Sequence, residues 1–153
     1  MDHEGLGITH VRQMRSEAHR LYEPASGVSP AVYAEAQDRT GALRVEALKW
    51  WLLGVEPSPL DAETGVTLDI SHSRTRVLVS GPEAPACLNR LLPIDLRQDR
   101  FVVNQVASGG IHHVGVTLWR SKTGYELFLP RGFAESLWEL LIETAEQFGL
   151  EIV

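Results

Sequence analysis

Hydrophobic and polar positions divide the chain into two regions of different character. From residue 66 onward the apolar positions recur with clear periods. Val66, Leu68 and Ile70 alternate with Thr67 and Asp69, which predicts a strand. Residues 74–79 alternate again, with Thr75, Val77 and Val79 on one face and Arg76 and Leu78 on the other. Ser80-Gly81-Pro82-Glu83 then opens a helix, with Pro82 at its first position. Ala84, Cys87, Leu88, Leu91 and Leu92 share one helical face, and Pro93 ends the element. Residues 101–106 read as a strand and Ser108-Gly109-Gly110 as a turn. Residues 112–119 form the next strand, with Val114, Val116 and Leu118 on one face. Ser121-Lys122-Thr123-Gly124 makes a hairpin turn into a strand over 125–129, broken by Pro130-Arg131-Gly132. A last helix carries Phe133, Leu137, Leu140, Leu141, Ala145 and Phe148 on one stripe. Glu135, Glu139, Glu143 and Glu146 lie mostly opposite, and Gly149 is placed as a left-handed cap. Residues 150–153 fit a short edge strand. This order predicts an α+β fold of ferredoxin-like character, an antiparallel sheet with two helices on one face.

Residues 1–65 are polar and interrupted by turns. Residues 9–22 have a loose helical pattern through Val11, Met14, Ala18 and Leu21. Residues 30–37 fit a second short helix opened by Ser29 and Pro30. Residues 42–53 are ambiguous between helix and strand, because alternation at Leu43, Val45 and Ala47 gives way to an unbroken apolar run. Glu56-Pro57-Ser58-Pro59 cannot continue a helix and marks a boundary. The expected organisation is an irregular, partly helical arm over 1–65 that contacts a partner, followed by an α+β domain over 66–153.

Charge changes this picture more than composition does. The chain is 44% hydrophobic and 22% charged, enough apolar content for a core. The net charge of −6 is segregated: residues 71–131 hold eight Lys/Arg against four Asp/Glu, while residues 132–153 hold five Glu and no Lys/Arg. The basic centre (Arg74, Arg76, Arg90, Arg97, Arg100, Arg120, Lys122 and Arg131) reads either as a patch for an acidic partner or as solvated strand-edge and loop residues. An acidic chain without a basic stripe interleaved with aromatics does not fit nucleic-acid binding. No apolar run approaches the roughly 20 residues of a membrane-spanning helix. The polar start lacks the pattern of a secretory signal. One cysteine, Cys87, cannot form an internal disulfide, which fits a reducing cytoplasm.

Candidate chemistry is sparse. Gly5-Leu6-Gly7 begins a dinucleotide-type loop, but His10 stands at the third glycine position and no strand precedes it. His112 and His113 are adjacent on an expected strand, so they should point to opposite faces and not share a metal ion. Neither CxxC nor HExxH spacing occurs. Cys87, on the apolar helix face, reads as a small buried hydrophobe. Asp95 and Asp99 flank Arg97 and are explained by local ion pairing and turn formation. No catalytic, cofactor-binding or metal-binding residue is therefore assigned. The adjacent Trp50 and Trp51 cannot both face one core. One is expected to be exposed or covered by a partner, or else packed beneath the N-terminal arm. Trp50, Trp51, Arg97, Arg100 and Arg131 are the candidate interface residues.

Two stretches carry a family resemblance. One is Ser71-His72-Ser73-Arg74-Thr75-Arg76-Val77-Leu78-Val79-Ser80-Gly81-Pro82, running on to Leu91-Leu92-Pro93-Ile94-Asp95-Leu96. The other is Val114-Gly115-Val116-Thr117-Leu118-Trp119-Arg120, followed by Gly124-Tyr125-Glu126-Leu127-Phe128-Leu129-Pro130-Arg131-Gly132-Phe133-Ala134-Glu135-Ser136-Leu137-Trp138. Together, over about residues 66–149, these resemble the gamma subunit of heterotetrameric sarcosine oxidase and, more distantly, the aminomethyltransferase fold. The resemblance implies an accessory, non-catalytic subunit of a cytoplasmic flavoenzyme that oxidatively demethylates sarcosine or a similar N-methyl amine. It implies partners in larger alpha and beta subunits and a small delta subunit. FAD, FMN, NAD and tetrahydrofolate would be bound by those partners and none by this chain. A stand-alone folate-binding protein of the same fold and a generic interaction domain are the competing readings.

Overall fold

The computed structural model describes residues 8–12, 41–54, 59–63 and 65–152, and its backbone divides into two compact units, 1–72 and 73–153. In the first unit, β1 (Ile8–Arg12), β2 (Gly41–Glu46), β3 (Lys49–Leu53) and β4 (Val66–Asp69) form an antiparallel sheet in the order β2-β3-β1-β4. A sheet thus occupies part of the stretch expected to be an irregular arm. Residues 9–12, expected to be helical, belong to β1. The rest of that helix and the one expected over 30–37 lie outside the described residues. The ambiguous stretch 42–53 resolves as a hairpin turning at Ala47 and Leu48. The unbroken apolar run Trp50-Trp51-Leu52-Leu53 is the inner strand's signature: β3 pairs on both edges, and all four residues are buried. The Lys49 Nζ to Glu46 Oε1 pair, 2.9 Å, spans the turn end of the hairpin.

The second unit is built from β5 (Arg74–Val79), α1 (Ala84–Leu88), β6 (Val106–Ile111), β7 (Val114–Arg120), β8 (Tyr125–Pro130) and α2 (Ala134–Glu146). Its strands are antiparallel in the order β5-β8-β7-β6. The register Val77↔Leu127 and Leu118↔Leu127 aligns the apolar alternation of three strands on one face. Val116, Leu118, Tyr125, Leu127 and Leu129 there join Ala84 and Leu88 of α1 and Leu137 and Leu141 of α2 in one buried cluster. Both helices therefore cover the same face, as expected. The glutamates of α2 lie opposite, exposed.

Several expectations shift by local backbone chemistry. The first helix is one turn long, starts after Glu83 and has Pro85 in its first turn, so Pro82 lies outside it. Residues 101–105 form turns because Asn104 takes a left-handed φ of 72°, and the strand begins only at Val106. Ser108-Gly109-Gly110 stays within β6. Its glycine lies close to another element: a Cβ on Gly109 would sit 3.1 Å from the tip of the Ile94 side chain, which would have to shift. The reversal is made by His112 and His113, which link the paired Ile111 and Val114. Their φ values of 45° and 72° suit a two-residue type I′ turn. Gly149 adopts the expected left-handed φ of 80°, but residues 150–152 form no strand.

The histidine turn carries a testable cost. Left-handed backbone costs an L-residue roughly 1–2 kcal/mol, against a glycine entropy penalty of roughly 0.5–1 kcal/mol. His113→Gly should therefore raise stability by about 0.5–1 kcal/mol, seen as a higher thermal midpoint. A lower midpoint would mean that the imidazole makes a contact worth more than the strain.

Candidate docking surface

Trp50 and Trp51 point to opposite faces of β3, yet each is only 3% exposed. This corrects the expectation that one of them is exposed or covered by a partner. With both side chains buried, neither indole presents a free ring.

Arg97 and Arg100 are placed as surface groups, in the loop between α1 and β6. The Arg97 guanidinium grips Asp95 at 2.6 Å, and both side chains are about half exposed or more, 64% and 46%. That hydrogen bond holds the Asp95 carboxyl down to about 2 and raises the Arg97 guanidinium further. Arg100 lies 3.8 Å from Asp99. The local ion pairing expected for the two aspartates is thus present. Arg131, also exposed, begins the turn after β8. The loop joins the sheet through Arg120, whose partner Tyr125 starts β8, whereas Arg131 follows the end of that strand. Six residues of extended chain put Arg131 on the order of 20 Å from the loop. The structure therefore brings Arg97 and Arg100 together and leaves Arg131 at the opposite end of the sheet.

The loop itself is firmly built. Leu96 is buried, its amide donates to Asn89 Oδ1 at 3.2 Å, and its carbonyl accepts from the Tyr125 hydroxyl at 3.0 Å. Burial pushes the Tyr125 phenol up. Phe101 stacks on the Tyr125 ring at 6.4 Å. The Val102 amide donates to Gln105 Oε1 at 3.0 Å. Asn104 N donates to the Arg120 carbonyl at 2.7 Å, and Arg120 N donates to the Gln105 carbonyl at 2.9 Å.

A second polar cluster was not anticipated. The side chain of Arg76, read by sequence either as part of a basic patch for a partner or as solvated, is buried. Its Nε donates to Glu126 Oε2 at 2.7 Å, with side-chain exposures of 2% and 3%. The guanidinium lies over Trp119 at 5.5 Å and Phe128 at 5.7 Å. The pair spans a diagonal of the β5–β8 ladder, since Arg76 is opposite Phe128 and Leu78 opposite Glu126. The signal was the alternation itself: Arg76, Trp119, Glu126 and Phe128 all fall on the sheet face away from the helices.

Among the described residues no three His, Cys, Asp or Glu side chains gather as metal ligands. His112 and His113 occupy the exposed hairpin tip. Cys87 is buried, and desolvation pushes its thiol up, so the thiolate nucleophile is disfavoured. The β5–α1 connection does not fit a pyrophosphate: it leads into a single helical turn with the carboxylate of Glu83 at its N-cap. The Gly5-Leu6-Gly7 segment lies outside the described residues. Among the described residues no helix is long and apolar enough to cross a membrane.

The family model of the GCVT N-terminal domain matches residues 40–153. The sarcosine oxidase subunit gamma of Corynebacterium sp. strain U-96 is 30% identical over 150 residues, covering 88% of this chain and 72% of that protein. The subunit of the same name from Corynebacterium sp. strain P-1 is 35% identical over 95 residues, 61% of this chain and 47% of its own length. The fold superposes on a chain of the heterotetrameric sarcosine oxidase of Corynebacterium sp. U-96 with a TM-score of 0.76 and 25% identity, covering 97% of this chain and 84% of that one. The chain belongs to the GCVT N-terminal domain family and, within it, to the sarcosine oxidase gamma subunits.

Proposed function

We propose that this chain is an accessory subunit, without catalysis of its own, in a flavin-dependent oxidase or dehydrogenase acting on sarcosine or a related N-methyl amine. The observation that carries the reading is the 30% identity to a sarcosine oxidase gamma subunit across 88% of the chain. The GCVT N-terminal domain match and the superposition on a heterotetrameric enzyme support it. In this reading the chain docks on larger alpha and beta subunits, alongside a small delta subunit, in the cytoplasm. Those partners bind FAD, FMN, NAD and tetrahydrofolate, and this chain stabilises the assembly during demethylation. Residues 1–65 supply part of the contact, with Arg97, Arg100 and Arg131 on the facing surface. The closed ion pairs and the high-pKa buried thiol described above suit a structural role.

Co-expression with and without the larger subunits tests this. Omitting this chain should lower the yield of flavin-loaded complex and its sarcosine-dependent turnover, read by flavin absorbance and product formation. Full activity and stability of the larger subunits without it would overturn the reading, as would turnover of an amine by this chain alone.

A further inference from the structure

The tip of the loop between α1 and β6 carries two adjacent valines that the fold leaves in water. Val102 is 48% exposed and Val103 is 43% exposed. Scattered apolar residues on a surface require no explanation. This pair differs because the protein constrains its backbone on both sides. Phe101 is buried against Tyr125 just before the valines, and Asn104 is held left-handed just after them. The Val102–Gln105 and Asn104–Arg120 hydrogen bonds close the turn between. A flexible loop would lose conformational freedom on capture, whereas this one has already been ordered.

The charge around the tip is directional. Residues 94–124 contain Arg97, Arg100, Arg120 and Lys122 against Asp95 and Asp99 only. Arg120 lies over the Tyr125 ring at 4.4 Å, and Lys122 is exposed in the adjoining hairpin turn. The tip is therefore an apolar knob in a cationic rim, the arrangement of an interface core with a polar border. We infer that Val102 and Val103 form the docking knob of this chain, and that its occupant is an apolar hollow bordered by carboxylates on a larger subunit of the complex. The net positive charge of the rim steers the encounter, and the valines supply the desolvated contact. This deepens, and rests on, the assignment of the chain as an accessory subunit.

The test uses the co-expressed complex and compares the wild type with Val102→Asp/Val103→Asp. The expected result is a loss of roughly tenfold or more in affinity for the larger subunits, as for an interface hot spot, with an unchanged melting curve for the variant chain. If that variant does not fold, Val102→Ser/Val103→Ser reads the same contact with no new charge and should weaken capture in the same direction. Arg100→Glu should slow association and reduce its dependence on salt. A folded valine variant that assembles as the wild type does would overturn the knob while leaving the subunit assignment standing. A wild-type chain that never assembles would overturn both. Unaltered association and salt dependence in Arg100→Glu would remove the acidic partner surface.

Discussion

Replacing Arg76 by Met is expected to cost about 3–5 kcal/mol of stability, because it leaves the Glu126 carboxylate buried without its partner. The two side chains are almost fully buried and joined at 2.7 Å. Burial at that depth removes hydration from both charges, and only their mutual contact and further hydrogen bonds offset it. Glu126→Gln should be milder, since the amide oxygen still accepts from Arg76. The informative variant is Arg76→Met/Glu126→Leu. Removing both charges while keeping volume should restore most of the loss, because apolar replacements of buried ion pairs are often neutral or stabilising. Urea denaturation of the isolated chain at high dilution, followed by circular dichroism, gives all three midpoints. An Arg76→Met midpoint equal to the wild type would mean that Glu126 is solvated and the pair is ornamental. A double variant as damaged as the single one would mean that the charges specify the ladder register.

Much of the second unit was legible because its periods are clean. Alternation over 74–79 defined β5, the hairpin turn at 121–124 and the break at Pro130-Arg131-Gly132 bounded β8, and a 3.6-residue stripe through Leu137 and Leu141 defined α2. What could not be read was set by single backbone angles or by neighbours distant in sequence. His112 and His113 do not advertise a type I′ turn as Asn-Gly would, so they were placed on a strand instead. Gly109-Gly110 looked like a turn, whereas Gly109 sits on a strand close against Ile94, fifteen residues earlier. In the first unit, Val11 fitted a helical stripe, but β1 depends on pairing with strands that follow some 35 to 60 residues later. Local propensity cannot register such a partner. The same reason hid the candidate surface. Tryptophans attract attention as interface residues, yet adjacent Trp50 and Trp51 are both buried on an inner strand. Val102 and Val103 read as ordinary strand residues until the turn at Asn104 exposes them.

Trp119 is the complementary case, a side chain whose bulk should matter more than its polar atom. It is fully buried, packed under the Arg76 guanidinium and opposite Glu126 in the β7–β8 register. Its indole N–H is buried with no hydrogen-bond acceptor among the described residues. Trp119→Ala should cost about 3–5 kcal/mol, the loss typical of a large aromatic removed from a packed interior. Trp119→Phe should cost only about 1 kcal/mol. It loses part of the ring and some cation–π attraction, but it also removes a donor whose unsatisfied burial costs about 1–3 kcal/mol. The ratio between the two is the readout, and both midpoints come from the same urea titration. A Phe variant as damaged as the Ala variant would show that the N–H, and not the ring, holds this face of the sheet. Because Arg76 touches the same ring, Arg76→Met and Trp119→Ala should not add. Their double variant should lose less than the two single losses together, since each removes part of the same contact.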